Sequence, residues 1–198
     1  MTAYIRPYRA EDRAACYDIC VRTAEVGEDA TGLYSTDDLM GDLFFGPFVD
    51  VDPTLAFVVD TGDHVAGYVI GAITRPFIQT YREELLPAFA EKYPLDVERS
   101  AQEAHMVALG YNPERMLFDD LDDYPAVLHI DLLPELQGQG FGRKLMDTLR
   151  AALAERGVAA VHLEMVTANV RARAFYDRLG FEELAVYDDL ARLAIPTS

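Results

Sequence analysis

The residues best suited to chemistry lie in one heptapeptide, Gln137-Gly138-Gln139-Gly140-Phe141-Gly142-Arg143. It follows the apolar run from Ala126 to Leu133 and Pro134, and it precedes an amphipathic stretch through Leu149. This order predicts a strand, a turn and the start of a helix. The first N–H groups of a helix have no intrahelical acceptor, and the aligned peptide dipoles place partial positive charge there, so that end favours an anion. Glycine inside a helix costs about 1 kcal/mol relative to alanine. Three glycines at a helix entrance therefore need a reason, and close approach of a pyrophosphate to bare backbone supplies one. Arg143 adds a positive charge beside them.

Two other glycine motifs are excluded by spacing. A dinucleotide fingerprint needs G-x-G-x-x-G in the first strand-to-helix turn, whereas these glycines alternate and fall late in the chain. A P-loop needs Lys and then Ser or Thr after its last glycine, and Gly142 is followed by Arg143-Lys144-Leu145.

The elements that must position the cradle follow from the apolar pattern. Tyr4 to Tyr8 reads as a strand, Ala10 to Val26 as a helix, and Gly27 to Ser35 as a loop. A short helix from Thr36 to Phe44 is stopped by Gly46-Pro47. Leu55 to Val59 and His64 to Thr74 form a hairpin around Thr61-Gly62-Asp63. Residues 75–125 break the alternation with two helical stretches, Phe77 to Tyr93 and Val97 to Leu109, and an acidic loop, Asp119 to Asp123. The cradle helix runs to about Arg156 and Gly157, strand Ala159 to Val166 follows, then helix Asn169 to Leu179, and last the strands Phe181 to Tyr187 and Ala191 to Ile195. The expectation is an α/β protein with a mixed β-sheet flanked by helices: one domain over residues 1–198, with a helical insertion of about 75–125 before the fourth strand.

With 198 residues, 51% of them hydrophobic, the chain can fill one core. Its net charge of −17 argues against nucleic acid or an anionic membrane as partner and favours an amine-bearing substrate, although acidity also serves solubility. Cys16 and Cys20, four apart on a helix, suit two buried thiols in a reducing compartment better than a metal site or a disulfide. No apolar run of eighteen and no signal-type segment is present, so a cytoplasmic location is expected. A homodimer is left open.

A second motif gives the cradle its cofactor. Gln137, Gly140 and Gly142 match the pattern Gln/Arg-x-x-Gly-x-Gly/Ala. Downstream, Asn169, Ala172, Phe175, Tyr176, Gly180 and Phe181 match Asn-x-x-Ala-x-x-Phe-Tyr-x-x-x-Gly-Phe. Together they resemble the two signatures of the GNAT superfamily of N-acetyltransferases. Arg6-Pro7-Tyr8, Gly32-Leu33-Tyr34, Asp42 to Phe48 and the Phe77 to Tyr93 stretch further resemble the acetyltransferase-like domain at the C-terminus of animal O-GlcNAcases and its stand-alone bacterial relatives. The animal domain resembles a pseudo-acetyltransferase without the glycine cradle, whereas here the cradle is intact.

The resemblance implies a GNAT acyl-CoA N-acyltransferase fold, a splayed sheet, acetyl-CoA as cofactor, and transfer of acetyl to an amine of a small molecule or protein. It implies contacts to the cofactor from Leu132, Leu133, Gln137, Gly138, Gln139, Gly140, Phe141, Gly142, Arg143, Asn169 and Tyr176. Tyr176 takes the general-acid position, since a phenol is protonated at neutral pH and can donate to a departing thiolate. Asn169 also fits a helix N-cap. A backbone N–H of Leu132 or Leu133 would stabilise the oxyanion. The base is the open role. Strand alternation places Ala126 and Leu128, at the positions where many relatives carry it, on one face, and His129 and Asp131 on the other. A bulge would be needed to re-aim His129 or Asp131. Asp123 and Glu164 are the remaining candidates, and a water chain with no single base is the alternative. An acetyl-CoA-binding module with little or no catalysis is the competing expectation.

Overall fold

The computed structural model describes residues 3–198. Seven strands form one sheet in the order β1-β2-β3-β4-β5-β7-β6, with β1 (Tyr4–Pro7), β2 (Ala56–Asp60), β3 (Val65–Ile73), β4 (Ala126–Leu132), β5 (Ala160–Val166), β6 (Glu182–Tyr187) and β7 (Leu190–Pro196). All neighbours are antiparallel except β4 and β5. That parallel pair is held only at Ala126 with Val161 and Val127 with His162, after which the strands part. The expected splay is therefore present, at the C-terminal half of β4.

One face of the sheet carries α1 (Arg13–Val21), α2 (Asp38–Phe44), α3 (Gly46–Val51) and the insertion. The other carries α7 (Phe141–Glu155), whose stripe of Phe141, Leu145, Met146, Leu149 and Leu153 is buried at helical spacing. Leu149 reaches Gly71, the partner of Leu128, which fixes Ala126 and Leu128 as the α7 face of β4. On the α1 face, Tyr68 lies opposite Asp131 and packs edge-on against Phe45.

Three boundaries differ from the sequence reading for local reasons. The first helix is shorter: Ala10–Asp12 is a 3₁₀ turn and the α-helix ends at Val21, not Val26. Gly46-Pro47 does not end the helical region. Proline is tolerated in a first turn, where its missing N–H has no intrahelical partner, so α3 starts there. The helix expected from Phe77 to Tyr93 is split into α4 (Thr74–Thr80), a π-turn (Tyr81–Leu85) and α5 (Leu86–Lys92), and the wide turn accommodates Pro87. The insertion continues through α6 (Ala101–Tyr111) and a 3₁₀ turn, Pro113–Met116.

Candidate active site

A cavity of about 510 Å³ opens where β4 and β5 separate, bounded by the cradle, by α8 (Val170–Leu179) and by Thr23, Val26 and Gly27 after α1. Of the expected cofactor residues, Leu132, Gln137, Gly138, Gly140, Gly142, Arg143, Asn169 and Tyr176 line it. Leu133, Gln139 and Phe141 do not. The Phe141 ring is buried in the core, and the Gln139 amide donates back to the Glu135 carbonyl.

The cradle is built by left-handed backbone. Gly138 (φ 74°) and Gly140 (φ 81°) turn the chain from the 3₁₀ turn Pro134–Leu136 into α7, and nothing lies within 4 Å of where a Cβ would stand on either. Among the described residues, no protein acceptor bonds the N–H groups of Gly138, Gly140, Phe141, Gly142 or Arg143. Five unspent donors at one helix entrance, beside open space, fit a pyrophosphate. Arg143, Arg171 and Arg178 also line the cavity, so the local field is positive within an acidic chain.

Gly142 has another role than the one expected of it. A Cβ there would lie 2.8 Å from the Phe175 ring, so this glycine lets α7 pack on α8 as well as lining the cavity. Gly142→Leu is expected to lower stability by about 1–3 kcal/mol through overpacking. Urea unfolding checks this, and the loss should shrink in a Phe175→Ala background. Two expected phosphate partners are partly engaged within the protein: Gln137 donates to the Leu132 carbonyl at 3.1 Å, and Arg143 to the Arg178 carbonyl at 2.8 Å. Asn169 is the N-cap of α8 and stands at the cavity. Its Oδ1 accepts from the Ala172 N–H at 3.0 Å as an N-cap, and the side chain also faces the cavity.

Tyr176 is buried between Phe175 and Phe181, with ring centroids 5.2 and 5.1 Å away. Among the described residues its hydroxyl has no hydrogen-bond partner, and it borders the cavity. Burial, and next the charge of Asp131, push its pKa above the usual phenol value, so the proton stays on at neutral pH.

The Leu133 assignment as oxyanion donor is corrected. Its N–H donates to the Ala66 carbonyl at 2.9 Å. With that bond fixing the β3–β4 phase, the N–H groups of Ile130 and Leu132 point the other way, into the gap toward β5.

The base is also relocated. Asp123 is exposed in a turn before β4, with about 20 Å of strand between it and the cavity. Glu164 is held by Arg192 at 2.6 Å and by the Tyr187 hydroxyl. His129 packs against Phe44 and Phe48 on the α1 face, and burial takes its pKa down to about 3, leaving it neutral. Asp131 does line the cavity, and it needs no bulge to do so: the β3–β4 register is continuous from Gly67 with Leu132 to Ile73 with Ala126. Beyond the last β4–β5 pair both faces of β4 open onto the same gap, so parity no longer separates Asp131 from Ile130 and Leu132. Its carboxylate accepts from the Tyr68 hydroxyl at 2.5 Å, beside Thr23, and burial raises its pKa above the ordinary carboxylate value. A buried carboxyl and a protonated phenol thus share one cavity with an anion cradle.

A splayed mixed sheet with a glycine cradle at the gap defines an acyl-CoA-binding acyltransferase fold. The sequence profile of the acetyltransferase (GNAT) family matches residues 16–181, and the chain belongs to that family. It is similar over 100% of both chains to the crystal structure of SsHAT, at 48% identity and a TM-score of 0.95. It is 27% identical over 187 residues to protein O-GlcNAcase of Rattus norvegicus, covering 91% of this chain but 20% of that protein's length. It is 39% identical over 64 residues to the [ribosomal protein bS18]-alanine N-acetyltransferase of Escherichia coli (strain K12), covering 32% of this chain and 43% of that protein. A structure sharing the fold, YncA from Salmonella typhimurium, was solved with its cofactor acetyl-CoA; it is 16% identical, with 100% of this chain and 95% of that one covered and a TM-score of 0.59. Acetyl-CoA is the cofactor of proteins with this fold.

Proposed function

We propose that the protein is an N-acetyltransferase that moves acetyl from acetyl-CoA to an amine of a small molecule or protein. The observation that carries this reading is the convergence of Asp131 and Tyr176 on the cavity that the cradle opens into. When bound, acetyl-CoA supplies an activated thioester whose C–S bond breaks as the amide C–N bond forms. Gly138, Gly140, Phe141 and Arg143 offer amides to its phosphates, and the gap-facing edge of β4 at Ile130 and Leu132 offers backbone groups to its arm. The Asp131 carboxylate, made more basic by burial, takes the proton lost by the amine. The Tyr176 hydroxyl holds a proton and gives it to the departing sulfur.

Tyr176→Phe is expected to reduce kcat about 100-fold with little change in acetyl-CoA affinity, measured by steady-state kinetics beside calorimetry. Equal activity in the two proteins would remove the general-acid role. The net charge of −17 supports an amine acceptor over nucleic acid or an anionic surface. Two buried free cysteines fit a reducing cytosol, and no helix of the described residues is long and apolar enough to cross a membrane.

A second reading, a binding module with little transfer, draws on the apolar Ala126 and Leu128 buried under α7. A thiol-release screen of small amines, basic peptides and peptide N-termini with acetyl-CoA separates the two. Release with one acceptor class supports transfer, and binding without release from any acceptor supports the module.

A further inference from the structure

The insertion carries one more charged group beside the face of β4 that bears His129. Arg115, in the 3₁₀ turn Pro113–Met116, is half-buried, and its Nε is shielded from solvent with no hydrogen-bond partner. Among the described residues its guanidinium makes no ion pair, and burial lowers its pKa below the usual arginine value. A desolvated cation without a partner is costly to a fold. A guanidinium held in that way is prepared for a planar or tetrahedral anion, which it can grip with two N–H groups.

The strand register fixes where this cation stands. β4 and β5 are in phase at Val127 and His162, so His129 is level with Glu164, and Asp131 with Val166. Arg115 borders a small cavity of about 20 Å³ together with His129 and lies near Glu164, Tyr81 and Tyr187. It therefore lies on the face of β4 that carries His129 and Asp131, at the level of His129, one two-residue step, about 7 Å along the strand, from the level of Asp131. Glu164 lends it a favourable charge but no hydrogen bond, because that carboxylate accepts from Arg192 and Tyr187.

We propose that Arg115 anchors the acceptor, binding an anionic group, carboxylate or phosphate, on the same molecule whose amine is presented to Asp131. This rests on the acetyl-transfer reading above. The acceptors are then amines with an anion a few bonds away, in preference to simple amines or polyamines. The acidic surface repels such a group elsewhere, and Arg143, Arg171 and Arg178 stand at the cradle, so discrimination among acceptors falls to Arg115 and its distance from Asp131.

The test compares acceptors that differ only in the anion, with the full chain and acetyl-CoA: 4-aminobutyrate against propylamine, and 2-aminoethyl phosphate against ethanolamine. The anionic member of at least one pair should show the lower KM, and which pair does so identifies carboxylate or phosphate. Arg115→Met should raise that KM about 10–100-fold while leaving the neutral twin and acetyl-CoA unaffected, and Arg115→Lys should recover part of the loss. No preference in the unmodified protein, or equal loss for both twins, would overturn the anchor. Calorimetry of the same amines on CoA-saturated protein reads the anchor without turnover. Anion-dependent binding with no transfer would leave the anchor and refute the transfer reading; neither binding nor preference refutes the anchor. Thermal unfolding of Arg115→Met should be unchanged or higher, since an unpaired charge is removed.

Discussion

Replacing Asp131 by Asn is expected to lower kcat for acetyl transfer by about 10²–10⁴-fold, the range associated with loss of a positioned general base. Asparagine keeps an oxygen that can accept from the Tyr68 hydroxyl, which lies 2.5 Å from the native carboxylate, so the local hydrogen bond survives while proton uptake is lost. The same substitution carries a stability signature of known sign. Burial raises the folded-state pKa of Asp131 above its unfolded value, so the native state binds the proton more tightly. Stability from this group is fully present below the unfolded pKa and declines as pH rises through the folded one. Asp131→Asn removes that decline. Its melting temperature should exceed that of the unmodified protein at neutral pH, and the gap should close toward the pH where an ordinary carboxylate is protonated. Calorimetric melts across pH check the sign. A variant less stable at neutral pH and equally active would remove Asp131 from the base role.

Gly140→Glu is expected to abolish acetyl-CoA binding. Its φ of 81° lies in the left-handed region, where a side chain costs roughly 1–2 kcal/mol, and the space beyond it is open, so the fold should persist with a modest loss. The larger effect is electrostatic. A carboxylate about 4 Å from a phosphate charge at an effective dielectric near 20 opposes binding by roughly 4 kcal/mol, about a thousandfold. Gly140→Asn separates strain from charge, because Asn tolerates this backbone region and carries none. Calorimetry should find Asn weakened far less than Glu. Comparable losses in the two would assign the effect to backbone geometry instead of anion recognition.

What the sequence revealed depended on how local the signal was. The cradle was legible because its information is local: alternate glycines, a proline before them and an amphipathic stretch after them define strand, turn and helix without reference to the rest of the chain. The role of Gly142 was not, because its reason is a ring on another helix, Phe175, about thirty residues later. Strand parity set His129 on the face opposite Ala126 and Leu128, but its packing against Phe44 and Phe48 depends on α2 and α3, which no local spacing reveals. The same parity argument gave Asp131 its face but wrongly set that face apart from the cavity, since alternation separates two faces only while a sheet is closed, and β4 leaves β5 after Val127. Tyr68 is a partner that no spacing rule could pair with Asp131; cross-strand register brings them together from 63 positions apart. Asp123 looked near the strand in sequence, but it lies at the wrong end of it. Leu133 looked equivalent to Leu132 until the phase of the β3–β4 ladder showed which amide is spent on Ala66.

One cavity joins the cradle to Asp131 and Tyr176. Backbone amide NMR during titration with acetyl-CoA tests it most directly. Saturable shifts are expected, led by Gly138, Gly140, Phe141 and Arg143, with Leu132, Asp131 and Tyr176 moving along the same isotherm. Saturation that leaves these amides in place, or shifts confined to another surface, would contradict it.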